Sequence, residues 1–117
     1  MNVEWLRDYC LSKIGSTESF PFDDKTLVFK VGNKMFALIP LEAETPSINL
    51  KCDPERAISL REEYPAITAG YHMSKKHWNT VKLDGSLNQK MIQELIDHSY
   101  QLIFEKLSKK LQQEINS

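Results

Sequence analysis

"TLVFKVGNKMFALIP", Thr26 to Pro40, holds two β-rich runs parted by Gly32-Asn33. A two-residue connection of this composition suits a type I′ or II′ turn, whose twist matches that of paired strands, so the stretch reads as a β-hairpin. The turn also predicts a register. With Val31 opposite Lys34, Phe29 faces Phe36 and Leu27 faces Leu38. That gathers one apolar face, while Val28, Lys30, Met35 and Ala37 take the other. An antiparallel sheet with one core face is the frame for the rest of the chain.

Downstream, "SINLKC" alternates strictly, with Ile48, Leu50 and Cys52 inward and Asn49 and Lys51 outward, as a half-buried third strand should. Asp53 can cap the next helix and Pro54 suits its first position, where no amide is needed. That helix should reach about Tyr64, because Pro65 disfavours helical geometry in the residue before it. "AITAGYHM" and "HWNTVKLD" then read as fourth and fifth strands joined by the "SKK" turn. Past Asp84-Gly85, Ser86 and Gln89 match a capping box. Met91, Ile92, Leu95, Ile96, Ser99, Leu102, Ile103 and Leu107 trace the apolar stripe of a long helix. Leu111 and Ile115 either prolong it, or residues 108–117 fray as a tail.

Upstream of the hairpin, Val3, Leu6, Cys10 and Ile14 recur at helical spacing until Gly15, Ser16 and Thr17 end the pattern. "TESFPFDD" reads as a loop, since Pro21 and the Asp pair interrupt any period. The whole predicts a single α+β domain over residues 1–117: an antiparallel sheet of about five strands with two long helices packed on one face. The other sheet face is expected to be open to water.

Composition bounds the function. At 117 residues, folding buries roughly two-thirds of the unfolded surface, enough for a core without disulfides or metals. Hydrophobic content of 41% and charged content of 26% are those of a soluble globular protein. Glu4, Arg7 and Asp8 near the N-terminus do not make a signal peptide, and no apolar run approaches ~20 residues. The expectation is a cytoplasmic protein with no membrane contact. Cys10 and Cys52 lie far apart without a CxxC pattern, which suits core residues of a reducing compartment better than a metal clip or disulfide. A net charge of -1 lacks the basic balance usual in proteins that bind duplex phosphates, so any such binding has to come from a local patch.

One such patch exists. "GYHMSKKHWNT", Gly70 to Thr80, carries Tyr71, His72, Lys75, Lys76, His77 and Trp78 without an acidic side chain. Alternation along the fifth strand sends His77, Asn79, Val81 and Leu83 to one face and Trp78, Thr80 and Lys82 to the other. With Val81 and Leu83 inward, Trp78 is expected on the solvent face beside Lys75, Lys76 and Lys82. A ring among cations is a stacking platform for unpaired bases, worth ~1–3 kcal/mol per base. Against this stands an indole that covers the sheet or packs under a loop. Tyr71 and His72 can hydrogen-bond phosphate or local backbone. His72 and His77 stand five apart with no Cys, Asp or Glu between them, which does not make a metal site. Catalysis would need Cys10, Cys52 or Glu63 brought in from elsewhere, so the expectation is a non-enzymatic protein without cofactor.

"ITAGYHMSKKHWNTVKLDGS", preceded by "LKCDPERAISLREEYPAI" and followed by "LIDHSYQLI", resembles the MmcQ/YjbR-like family of small bacterial proteins. The resemblance runs from the N-terminal helix to about Leu107. Its core is Gly70-Tyr71-His72-Met73, Lys75 or Lys76, His77-Trp78 and Asp84-Gly85-Ser86. Where that family has Pro before Gly-Tyr-His, this chain has Ala69. The resemblance implies a CyaY (frataxin-like) fold and DNA binding through a double-wing arrangement. The iron binding that frataxin likeness suggests uses an acidic first helix, and this one offers only Glu4 and Asp8.

The expected function is therefore DNA binding, weak and largely sequence-independent, through Tyr71, His72, Lys75, Lys76, His77, Trp78, Thr80 and Lys82. Backbone contacts dominate because the patch has cations and rings but no cluster of Arg, Asn or Gln to read base edges. The alternative is a protein-interaction or adaptor module that uses the same sheet face, with Trp78 and Tyr71 as anchors.

Overall fold

A computed structural model describes residues 1–70 and 73–117. Its elements run α1 (Val3–Leu11), β1 (Thr17–Ser19), β2 (Thr26–Val31), β3 (Lys34–Pro40), β4 (Ser47–Lys51), α2 (Pro54–Glu63), β5 (Ile67–Ala69), β6 (Trp78–Lys82), α3 (Gln89–Glu105) and α4 (Lys109–Asn116). The α+β class is as expected, but among the described residues four helices stand where two long ones were predicted: α3 is long, α1 spans only Val3–Leu11, and the chain's end forms a separate α4. Among the described residues there are six strands rather than about five, in one antiparallel sheet of order β1-β2-β3-β4-β6-β5. The addition is β1, from the segment read as loop. Three residues leave too short an alternation to register, and β1 exists by pairing with β2, Thr17 opposite Lys30 and Ser19 opposite Val28.

The hairpin forms with Gly32 and Asn33 both at positive φ, 56° and 68°, as its turn type requires. Val31 faces Lys34 and Lys30 faces Met35, but then the register shifts: Phe29 faces Ala37, Val28 faces Leu38 and Leu27 faces Ile39. The expected Phe29–Phe36 and Leu27–Leu38 pairings are corrected accordingly. An extra residue in one strand is a β-bulge, and here it lets adjacent Phe36 and Ala37 both enter the core. Phe36 still meets the Phe29 ring at 6.4 Å and takes the Tyr100 ring edge-on at 5.3 Å.

The core lies between one sheet face and the helices. Leu6 and Cys10 of α1, Ala57 and Leu60 of α2, and Ile92, Leu95, Ile96 and Ile103 of α3 pack on Leu27, Phe29, Ile39, Ile48, Leu50 and Val81. Cys10 and Cys52 are both buried and free, as core residues. Asp53 caps α2 as expected, its side chain accepting the Arg56 N–H at 3.2 Å. The cap of α3 is Asn88, whose side chain accepts from Met91 N–H, and not Ser86. Ser86 instead donates its hydroxyl to Asp84 at 2.6 Å, closing a local turn that competes with capping. Residues 108–117 do not fray: Ser108 caps α4, which seats Leu111 against Gly32 and Ile115 against Gly15. Among the described residues no helix is long and apolar enough to cross a membrane.

One polar contact sets how α3 lies on the sheet. β3 and β4 pair only through Ala37–Leu50 and Leu38–Asn49. Beyond these, the buried Ser99 hydroxyl enters the ladder, accepting the Lys51 N–H at 2.9 Å and donating to the Phe36 carbonyl at 2.6 Å. Ser99→Ala would leave two backbone groups without partners, and each orphaned buried group costs about 1–3 kcal/mol. Urea titration of this variant is expected to show a loss of about 2 kcal/mol or more. A loss well below that would mean the strands close without the hydroxyl.

Candidate nucleic-acid interface

β6 begins with Trp78 opposite Lys51 and ends with Lys82 opposite Ser47. Its inward residues behave as alternation predicts: Val81 is in the core and buried Asn79 donates to the Ala57 carbonyl at 3.5 Å. The outward ones need correction. Trp78 keeps 8% of its surface exposed and clusters with Val28 and Leu38 on the second sheet face, with Met35 and Met73 packed against the group. That face is thus not simply open to water. A bulky ring next to two aliphatic side chains removes more apolar surface by lying down on them than by standing in solvent. A sealed indole can neither stack on bases nor anchor a partner chain.

The turn that follows β5 is held by its own backbone. The Ser74 carbonyl accepts from both His77 N–H and Trp78 N–H, at 3.1 and 2.9 Å, and Met73 N–H reaches the Gly70 carbonyl at 3.0 Å. Arg61 of α2 crosses to donate to the Lys75 carbonyl at 2.8 Å, fixing the turn and bringing another cation to it. Lys75 and Lys76 are exposed, and His77 is half-buried, its carbonyl accepting the Cys52 N–H at 2.7 Å. These bonds hold Lys75, Lys76 and His77 in one turn directly before the buried Trp78. Thr80 stands on the second face but donates to Asn49 Oδ1 at 2.5 Å. Lys82 is exposed at the far end of β6, beside Asp84, and does not join the turn. Tyr71 and His72 lie outside the described residues. Among the described residues no three metal-ligating side chains converge.

Sequence reasoning missed the distribution of charge between the two ends of the sheet. At the end bearing the Gly32-Asn33 turn lie Lys34, Lys51 at the close of β4, Lys75, Lys76 and, past α3, Lys106, with Asp53, Glu55 and Glu105 the nearby acids. The opposite end collects Asp23, Asp24, Glu42, Glu44 and Asp84, with Lys25 set against Glu42 at 3.7 Å. Arg61, Lys34 and Lys106 carry no local signal for a site. The antiparallel order of the strands is the signal that could have gathered them.

His98 of α3 lies close behind this basic end. Its Nε2 accepts the Asp53 N–H at 3.2 Å, and burial, followed by the nearby Arg56 charge, lowers its pKa below the usual 6.5. It borders a cavity of about 10 Å³, lined also by Cys52, Leu60, Asn79 and Leu95. That is about the size of one water.

This arrangement defines a small α+β protein with one basic end, and the comparisons place it in a family. The YjbR family model matches residues 11–102, and the chain belongs to that family. It is 38% identical over 101 residues to the uncharacterized protein YjbR of Escherichia coli (strain K12), covering 86% of each chain. Among solved structures it is similar to Deinococcus radiodurans protein DR2400, at 42% identity and a TM-score of 0.92 over 98% of this chain and 88% of that one. A Pseudomonas syringae protein follows at 35% identity and a TM-score of 0.77, over 88% of this chain and 99% of that one.

Two outcomes check this geometry. In a Trp5→Phe background, Trp78 fluorescence should resist iodide quenching, and Trp78→Ala should lose about 3–5 kcal/mol of stability; a freely quenched indole would contradict its burial. A histidine whose folded pKa is lowered contributes stability that is present above its unfolded pKa and lost as pH falls. Stability should therefore decline as pH drops through and below 6.5, and His98→Gln, which keeps an acceptor but does not titrate, should flatten that part of the curve.

Proposed function

We propose that this protein binds DNA non-enzymatically, through backbone phosphates, with the basic end of its sheet. The observation that carries this reading is the charge separation: a chain of net charge -1 presents Lys34, Lys51, Lys75, Lys76 and Lys106 at one end. An end-to-end field of this kind steers a polyanion to one surface without requiring a basic protein overall. Two hairpin tips project there, the Gly32-Asn33 turn and the Lys75-Lys76 turn. Three strand spacings of about 4.8 Å separate their midlines, roughly 14 Å. That compares with the major groove of about 12 Å, so the two tips suit phosphates on either side of a groove. They also answer to the double-wing arrangement that the family resemblance implies, and we read the sheet with its helices as a CyaY-like layout.

Burial of Trp78 changes the expected ligand. Without an exposed ring the site has no stacking platform, and duplex takes the place of single strands as the favoured partner. Two free, buried thiols suit a cytoplasmic location.

Fluorescence anisotropy with a short duplex tests this. If two to four phosphates are neutralised, log affinity should fall against log salt with a slope of roughly -2 to -4. Lys75→Ala with Lys76→Ala should weaken binding and flatten the slope by about 2, while Trp78→Phe should leave both unchanged. Binding that is absent at low salt, or that does not respond to the double substitution, rules the proposal out.

A further inference from the structure

Three lysines from three separate elements meet where β3 and β4 part. Leu107 packs so closely on Gly32 that an added Cβ there would come within 2.5 Å of it, which seats the end of α3 on the turn just before Lys34. Lys106 precedes Leu107 and stands seven residues after Ser99, hence on the same side of α3 and roughly 10 Å further along. Ser99 in turn holds the Lys51 N–H at 2.9 Å. Lys51 stands opposite Trp78 at the end of β4, and there its half-buried side chain has Lys106 against it and Lys34 close by; burial, followed by both positive neighbours, lowers its pKa. Among the described residues none of the three lysines is in an ion pair with a carboxylate.

Like charges brought together repel, and since Lys34 and Lys106 are exposed the penalty falls chiefly on the half-buried Lys51. A packing role alone does not account for this. Lys106 at the end of α3 suits the helix dipole, and Lys34 beside a turn is ordinary. Neither fact explains why Lys51 turns its ammonium toward theirs. An anionic phosphate would relieve the repulsion and accept charge-assisted hydrogen bonds from the ammonium groups: a backbone phosphodiester brings a single negative charge and a free phosphate up to two, and either has acceptors enough for three donors.

We propose that Lys34, Lys51 and Lys106 form a phosphate-binding site at the parting of β3 and β4, separate from the Lys75-Lys76 turn. The phosphate is either part of a DNA backbone seated on the basic end or a free phosphate group. Only the first source rests on the DNA-binding reading above.

The test is a titration of the full chain with inorganic phosphate against chloride at matched ionic strength, following the lysine side-chain NMR signals. Phosphate, but not chloride, should shift the Lys51 and Lys106 signals saturably and leave exposed Lys25 unmoved. Lys51→Met should weaken the response about tenfold or more while the protein stays folded by thermal melting. The variant carrying Lys75→Ala and Lys76→Ala should keep the phosphate response, so this site can be scored whether or not DNA binds. A short duplex that displaces phosphate assigns the site to a nucleic-acid backbone, and one that does not assigns it to a free phosphate; both uphold it. A response to phosphate no larger than to chloride, or a folded Lys51→Met protein that responds like the native one, overturns it.

Discussion

The Ser99 hydroxyl is the contact on which the rest of the arrangement depends. It lies in the apolar stripe of α3 with Ile92, Leu95, Ile96 and Ile103, all buried. Apolar contacts are non-directional and let a helix slide over a sheet by part of a turn at small cost, whereas a buried hydroxyl must find its partners. By accepting from Lys51 and donating to Phe36, Ser99 fixes α3 along its axis and holds two strands apart at one point. Everything placed relative to α3 follows. Tyr100 comes edge-on to Phe36, Leu107 closes over Gly32, and Lys106 is delivered to Lys51.

The parts of the fold legible in the sequence are those specified by neighbouring residues. Gly32-Asn33 announces its turn because both residues tolerate positive φ, and Asp53-Pro54 announces α2 because cap and first position stand side by side. The illegible parts depend on residues distant in the chain. The bulge at Phe36 conflicts with the alternation of its own strand, and its purpose is visible only once Ser99 and Tyr100, more than sixty residues later, are seen to use it. β1 is held by pairing with β2 and by the Arg7–Glu18 ion pair to α1, both distant in the chain. α3 starts from Asn88 in place of the expected Ser86, whose hydroxyl is taken by Asp84.

The candidate site divides in the same way. Alternation placed Trp78 on the correct face, because the two-residue period of a strand is a local property. Its burial is not legible locally, because Val28, Leu38, Met35 and Met73 come from other strands and from a turn. Lys75 and Lys76 were legible as a pair, whereas Lys34, Lys51 and Lys106 have nothing in common along the chain. Lys82 adjoins the patch in sequence, but β6 carries it to the opposite end of the sheet, toward Asp84.

The order of charges along the sequence carries the missing information in a form that net charge erases. From β1 to β4 the connections run Asp23-Asp24, then the turn before Lys34, then Glu42 and Glu44, then Lys51. In an antiparallel sheet each strand returns the chain to the other end, so an alternation of sign from one connection to the next becomes a separation of sign in space. Lys75-Lys76 and Asp84, on either side of β6, continue the pattern. Summed, these groups nearly cancel; folded, they give the molecule a positive and a negative end. On the proposed reading, this separation is what would orient the protein toward a polyanion before contact, with the acidic end repelling the wrong orientation. A small protein of near-zero net charge can in this way favour one mode of approach without becoming adhesive to every polyanion it meets.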